Sequence, residues 1–130
     1  MPALQSKKEE SHDTLCEELL RERAAVLSRA GNAVEDALAE LTRVDDEIRI
    51  KNLYLKSFKR RKHKPDYRQN QQVLIDEINM SIDQFNDIHK RAQLKYYYLI
   101  VTREALGLRR HDMIQEIYRI PAKKKKVKEY

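Results

Sequence analysis

Val34-Glu35-Asp36-Ala37-Leu38-Ala39-Glu40-Leu41-Thr42-Arg43-Val44-Asp45-Asp46-Glu47-Ile48 decides the fold of this chain. Its residues Val34, Ala37, Leu41, Val44 and Ile48 fall alternately three and four apart. That spacing lays them on one stripe of an α-helix running nearly parallel or antiparallel to a partner helix. The series extends back through Ala30, Leu27 and Arg23 to Leu20, and forward through Lys51, Leu55 and Phe58. A second stretch repeats it: Ile75, Ile78, Ile82, Phe85, His89, Ala92, Tyr96, Leu99, Arg103 and Leu106.

Composition agrees. The chain has 130 residues, the size of one domain, and 37% of them are charged. Two glycines and three prolines leave few helix breakers, so long, wet helices are expected rather than a sheet. The hydrophobic share, 41%, supplies a seam but not a thick globular core. No run approaches the ~18 apolar residues of a membrane helix. The start, Met1-Pro2-Ala3-Leu4-Gln5-Ser6-Lys7-Lys8, lacks an apolar signal segment. Cys16 is the single cysteine, so no internal disulfide or thiolate metal cluster can form from one chain. Four residues before Leu20, it is expected on the seam side as a small buried hydrophobe, in a reducing, cytoplasmic setting.

Read in order, residues 1–12 have no apolar period and are expected to be a disordered N-terminal tail. Ser11 or Asp13 is placed to cap the first helix, and Glu17 and Glu18 suit its positive end. Gly31-Asn32 is the doubtful point: Asn32 with Glu35 makes a capping box that would split the helix. The seam keeps its phase through Leu27, Ala30 and Val34, which favours one continuous helix, with Gly31 costing about 1 kcal/mol against Ala. Ile48 to Leu55 also alternates like a strand, but no second segment could pair with it. Lys64 before Pro65 ends the first helix, and Asp66 is placed to cap the second. Gly107 is a left-handed stop after Leu106. A short helix from Asp112 to Tyr118 presents Met113, Ile114, Ile117 and Tyr118 on one side, with Asp112 as its cap, and Pro121 closes it. The domain thus spans 13–121 with a basic turn at 59–65, and 122–130 form a basic C-terminal tail, expected to be disordered.

Two long helices joined by a short turn run antiparallel, so facing residue numbers add up to about 126. Large residues then meet small ones or each other across the seam: Leu41 with Phe85, Val44 with Ile82, Val34 with Ala92, Ala37 with His89. Arg21 and Glu22 fall beside Glu104 and Arg103. Each helix also carries a second apolar row: Leu19, Val26 and Leu38 on the first, Leu74, Ile88 and Leu94 on the second. The short helix is expected to cover the open end over Cys16, Leu19 and Leu20. The rest of the row invites a second hairpin. The predicted fold is therefore all-α, a long coiled-coil-like antiparallel hairpin with a short third helix, dimerising into a four-helix bundle through Leu19, Val26, Leu38, Leu74 and Ile88.

Catalytic constellations are missing. Carboxylate-bridged metal bundles use Glu-x-x-His on two helices, but the residue three before His89 is Asn86, and helix one has no histidine beyond His12 in the tail. His89 reads as a hydrogen-bonded interface histidine, with no metal, and His63 as solvated. Two glycines make no phosphate loop, and no Ser-His-Asp or Cys-His set has a pocket to hold it. No enzyme activity, cofactor or small-molecule substrate is expected. Tyr96-Tyr97-Tyr98 point about 100° apart and form no single stacking platform.

The charge is concentrated. Lys59, Arg60, Arg61, Lys62 and Lys64 carry five positive charges and Lys123, Lys124, Lys125, Lys126 and Lys128 five more; against a net +6, the remainder holds −4. The first run, flanked by Phe58 and Tyr67, is a candidate nucleic-acid contact through phosphates and stacking. The second matches a nuclear import signal in composition only. An interaction module binding itself or another helical protein is the favoured function, and a nucleic-acid accessory protein is the alternative.

Leu20-Arg21-Glu22-Arg23-Ala24-Ala25 with Arg29-Ala30-Gly31 and Ala37-Leu38, and later Arg103-Glu104-Ala105-Leu106-Gly107-Leu108-Arg109 with Tyr118-Arg119-Ile120-Pro121, resemble a group of short all-helical bacterial proteins catalogued as a domain of unknown function. The resemblance covers residues 15–121 and implies a bacterial cytoplasmic protein. It transfers no functional residue, and the Lys59–Lys64 turn departs from its pattern.

Overall fold

The computed structural model describes residues 2–60 and 67–128. They form three helices, α1 (Pro2–Lys59), α2 (Tyr67–Ala105) and α3 (Asp112–Ile117), with no strand among the described residues. The expected Pro65 stop and Asp66 cap lie outside those residues.

α1 and α2 pack along the seam. Val34, Leu41, Val44, Ile48 and Leu55 of α1 are buried, as are Ile75, Ile78, Ile82, Phe85, Ala92 and Leu99 of α2. Each such side chain contributes roughly 1.5–3 kcal/mol through the apolar area it removes from water. Leu41 and Phe85 share one core cluster. Among the described residues, two polar contacts bridge the helices: Arg91 lies 3.6 Å from Glu40, and the Lys51 ammonium donates to Ser81 Oγ at 2.9 Å. Lys51 thus occupies its seam position by reaching past the core to a hydroxyl. Phe58 and Tyr67 stack at 5.7 Å between centroids, so each spends one ring face on the other rather than offering it to a base.

Residues 2–12 join α1 instead of forming a tail. Proline at the first helical position loses no hydrogen bond, and no breaker follows before Asp13. α1 therefore has 58 residues against 39 in α2, and outruns it by about 28 Å. Cys16 is accordingly exposed, not buried, because no helix faces it. α1 also runs unbroken through Gly31-Asn32 and through Ile48–Leu55.

α2 ends as expected. Gly107 adopts φ +86°, its N–H donates to Glu104 O at 3.0 Å, and the Leu108 N–H donates to Arg103 O at 2.9 Å. This paired closure satisfies the last carbonyls of the helix. Arg103 and Glu104 do not reach back to Arg21 and Glu22. The Arg103 guanidinium donates to His111 Nδ1 at 3.3 Å and to Arg110 O at 2.9 Å, and His111 Nε2 meets Glu104 at 3.2 Å. The ring accepts at Nδ1 and donates at Nε2, which brackets the turn into α3. His111, not Asp112, stands at the cap position of α3, and Asp112 is its first helical residue. α3 leaves Leu19 and Leu20 uncovered. The chain beyond it folds back along the middle of the hairpin.

Candidate functional site

The C-terminal segment is placed by its own connection. Tyr118 follows α3, and its hydroxyl donates to Glu35 at 3.2 Å. A Cβ on Gly31 would stand 3.2 Å from that hydroxyl, so the glycine gives the tyrosine room against α1. Burial, and then the Glu35 carboxylate, push the Tyr118 phenol above its ordinary pKa.

Beyond Pro121 the chain lies along the hairpin, running opposite to α2. Asn86 Nδ2 donates to Lys124 O at 3.0 Å, and the Lys124 N–H donates back to Asn86 Oδ1 at 3.0 Å. Asn79 repeats the arrangement on Val127, at 3.1 and 2.7 Å. Each asparagine thus holds both main-chain groups of one residue. The two asparagines stand two helical turns apart, about 10.5 Å. Three residues of left-handed extended chain cover ~9.3 Å and return to the same side, whereas a flat strand would turn Lys124 and Val127 to opposite sides. The clamp spacing therefore fits a three-residue-per-turn extended backbone.

Side chains add polarity and grip. Lys124 Nζ lies 2.6 Å from Asp45 Oδ1 on α1 and 4.9 Å from the centroid of the Phe85 ring. Lys126 Nζ lies 3.4 Å from Asp83 on α2. The hydrogen bond from Lys124 holds the Asp45 carboxyl below its ordinary value against the opposing effect of desolvation, and the charges of Lys124 and Arg49 act in the same direction. Ile120 and Val127 pack against the core cluster. The tail expected over 122–130 is therefore a docked segment as far as Lys128.

His89 is buried, 5% exposed, and its Nδ1 has no hydrogen-bond partner among the described residues. His89, expected as a hydrogen-bonded interface histidine, thus lies buried without a partner at Nδ1 among the described residues, and it lines a cleft with Gln93, Tyr96 and Ile120-Pro121-Ala122-Lys123. No cluster of metal-ligand type appears among the described residues.

The expected self-association row divides. Leu19 and Val26 are exposed, 47% and 38%. Leu38 and Leu74 are half-buried against the core. Ile88, 2% exposed, belongs to the core and leaves the row. It joins the core cluster, against which Ala37 of α1 packs. Leu15 and Leu20 join the exposed set at 53% and 65%, and Leu94, Tyr98 and Val101 form an exposed row on α2, with Tyr97 beside it. Of the candidate phosphate contacts, Arg60 is exposed, and Arg61, Lys62 and Lys64 lie outside the described residues, while Lys59 closes α1.

The asparagine clamp escaped sequence reasoning. Its one available signal is a pair of matching lengths, Asn79 to Asn86 over seven helical residues and Lys124 to Val127 over three extended ones. No helix is long and apolar enough to cross a membrane among the described residues. No family model, no curated protein and no solved structure matches the chain.

Proposed function

We propose that this chain is a non-enzymatic helical interaction module that pairs with a second copy of itself. The observation that carries the reading is the overhang of α1. Leu15, Leu19, Leu20 and Val26 stay exposed where the first helix outruns its partner. A helix with an apolar stripe gains by burying it against another helix, and a second overhang offers the same stripe in return. Such pairing joins the two overhangs as a two-helix coiled coil, and a four-helix bundle forms where each overhang continues along the other copy's hairpin. The lone, exposed Cys16 suits a reducing, cytoplasmic setting.

Light scattering on the full chain tests this. The expected mass is twice 15.5 kDa at micromolar concentration, falling to 15.5 kDa in Leu19→Glu/Leu20→Glu with helicity unchanged. A wild-type mass of one chain at ~100 μM, where interfaces of this kind are populated, ends the reading.

The alternative, nucleic-acid binding through Lys59, Arg60, Arg61, Lys62 and Lys64, draws support from the exposed Arg60 and from exposed Lys123, Lys125 and Lys128. It requires salt-dependent binding to DNA or RNA that is lost in Lys59→Ala/Arg60→Ala/Arg61→Ala. Absence of binding at low salt removes it.

A further inference from the structure

We propose that the groove between α1 and α2 at Asn79, Asn86, Asp45 and Asp83 is a binding site for extended lysine-rich peptides, and that residues 120–127 occupy it as a tethered ligand. This goes beyond the self-association reading, which uses the other end of α1.

The groove recognises its occupant in two separate ways. Asn79 and Asn86 read only main chain, each holding the N–H and the C=O of one residue. Any sequence that adopts the extended path satisfies them. The carboxylates and the core then select. Asp45 takes a lysine at the position of Lys124, and Asp83 one at the position of Lys126. The Phe85 ring beneath Lys124 favours a cation over a neutral side chain there. Aliphatic residues are selected at the positions of Ile120 and Val127, which touch the core. Lys123 and Lys125 are exposed and unselected. The ligand is thus defined as aliphatic, three unrestricted residues, Lys, one unrestricted residue, Lys, aliphatic.

The groove does not need its occupant in order to exist. The α1–α2 core is built from residues of those two helices, and the segment adds only half-buried Ile120 and Val127 at its edge. The segment can leave without opening the hairpin. A tethered ligand has an effective concentration near the millimolar range, so an untethered peptide competes at a disadvantage until the tether is removed.

The test uses the full chain. In Lys124→Glu/Lys126→Glu/Val127→Asp the segment opposes the groove by charge and polarity while every groove residue is kept. A fluorescent peptide of the sequence 119–128 is then titrated, followed by anisotropy. Binding to this variant at least tenfold tighter than to wild type, lost when Asn79→Leu/Asn86→Leu is added, is the expected result. A peptide of the same composition with its isoleucine and valine exchanged for lysine positions should bind at least tenfold more weakly. Equal binding of both peptides, or binding that ignores the asparagines, overturns the proposal by reducing it to charge attraction. No binding to a variant whose circular dichroism matches wild type overturns it as well. A wild-type dimer that becomes a monomer on this triple substitution assigns the groove to the segment of a second copy, and overturns the tethered form. If the variant loses its helices, the wild type carries the test: excess peptide should displace the tethered segment and move the backbone amide resonances of its Lys124 and Val127 toward random-coil positions, and unchanged resonances overturn the proposal.

Discussion

Replacing Asn86 by alanine should release the C-terminal segment and leave the hairpin standing. The substitution removes two hydrogen bonds, one to the carbonyl and one from the N–H of Lys124. A single bond of this kind contributes about 0.5–1.5 kcal/mol net. The site is half-buried, and water can replace part of what is lost, which places the pair near the lower end, about 1–1.5 kcal/mol. That corresponds to roughly a tenfold rise in the open population of the segment. Amide hydrogen exchange followed by NMR reads it directly. The Lys124 N–H should exchange about tenfold faster, and the Val127 N–H should follow because Asn79 alone holds a segment with one anchor missing. Amides in the middle of α2, around Ile82, should keep their wild-type protection, since the seam loses nothing. Unchanged exchange at Lys124 refutes the clamp. Equal acceleration at Ile82 and Lys124 refutes the independence of segment and hairpin.

Three further outcomes follow from the same structure. Ile78→Ala, at a fully buried seam position, should cost about 2–5 kcal/mol and lower the thermal midpoint by on the order of 10 °C, read by circular dichroism. Gly31→Ala should stabilise α1 by under about 1 kcal/mol, because the gain in helix propensity outweighs a shift of a few tenths of an ångström in the Tyr118 hydroxyl; Gly31→Leu should destabilise by displacing Tyr118 altogether, and thermal melts separate the two. Acid should loosen the segment before the helices: Asp45 has its folded pKa held below the ordinary 3.8, so its contribution is complete above that value and is lost as pH falls through the lowered one. Lys124 amide exchange, corrected for its intrinsic pH dependence, should therefore show protection at pH 6 that weakens as pH falls below 3.8, and an identical pH profile in Asp45→Asn contradicts the Lys124–Asp45 contact.

The hairpin was legible because periodicity is a property of the sequence itself. Every apolar seam position from Val34 to Leu55 and from Ile75 to Ala92 is at least partly buried, and Gly107 takes the left-handed stop. What periodicity cannot supply is the length of a helix that no partner covers: residues 2–12 lack a stripe and still join α1, and this uncovers Cys16, Leu19 and Leu20. Ile88 belongs to the core because it stands beside the seam position His89 on α2, and the width of the buried face depends on the packing of α1, which periodicity does not supply. The docked segment was hidden for a different reason. Five lysines read as a disordered tail, and nothing in the sequence marks Asn79 and Asn86 as its partners. Their interaction is between side-chain amides and main chain, and main chain has no signature in a sequence.

The antiparallel register of α1 on α2 underlies the seam, the groove and the overhang alike, and a cross-link measures it. In a Cys16→Ser background, Glu40→Cys/Arg91→Cys places two thiols at facing positions whose native side-chain tips meet at 3.6 Å. A short bismaleimide should join them within one chain in high yield. The pair Glu40→Cys/Gln69→Cys, displaced along α2 by about 33 Å, should stay unlinked. Efficient linking of the second pair, or linking of the first only between separate chains, contradicts the hairpin.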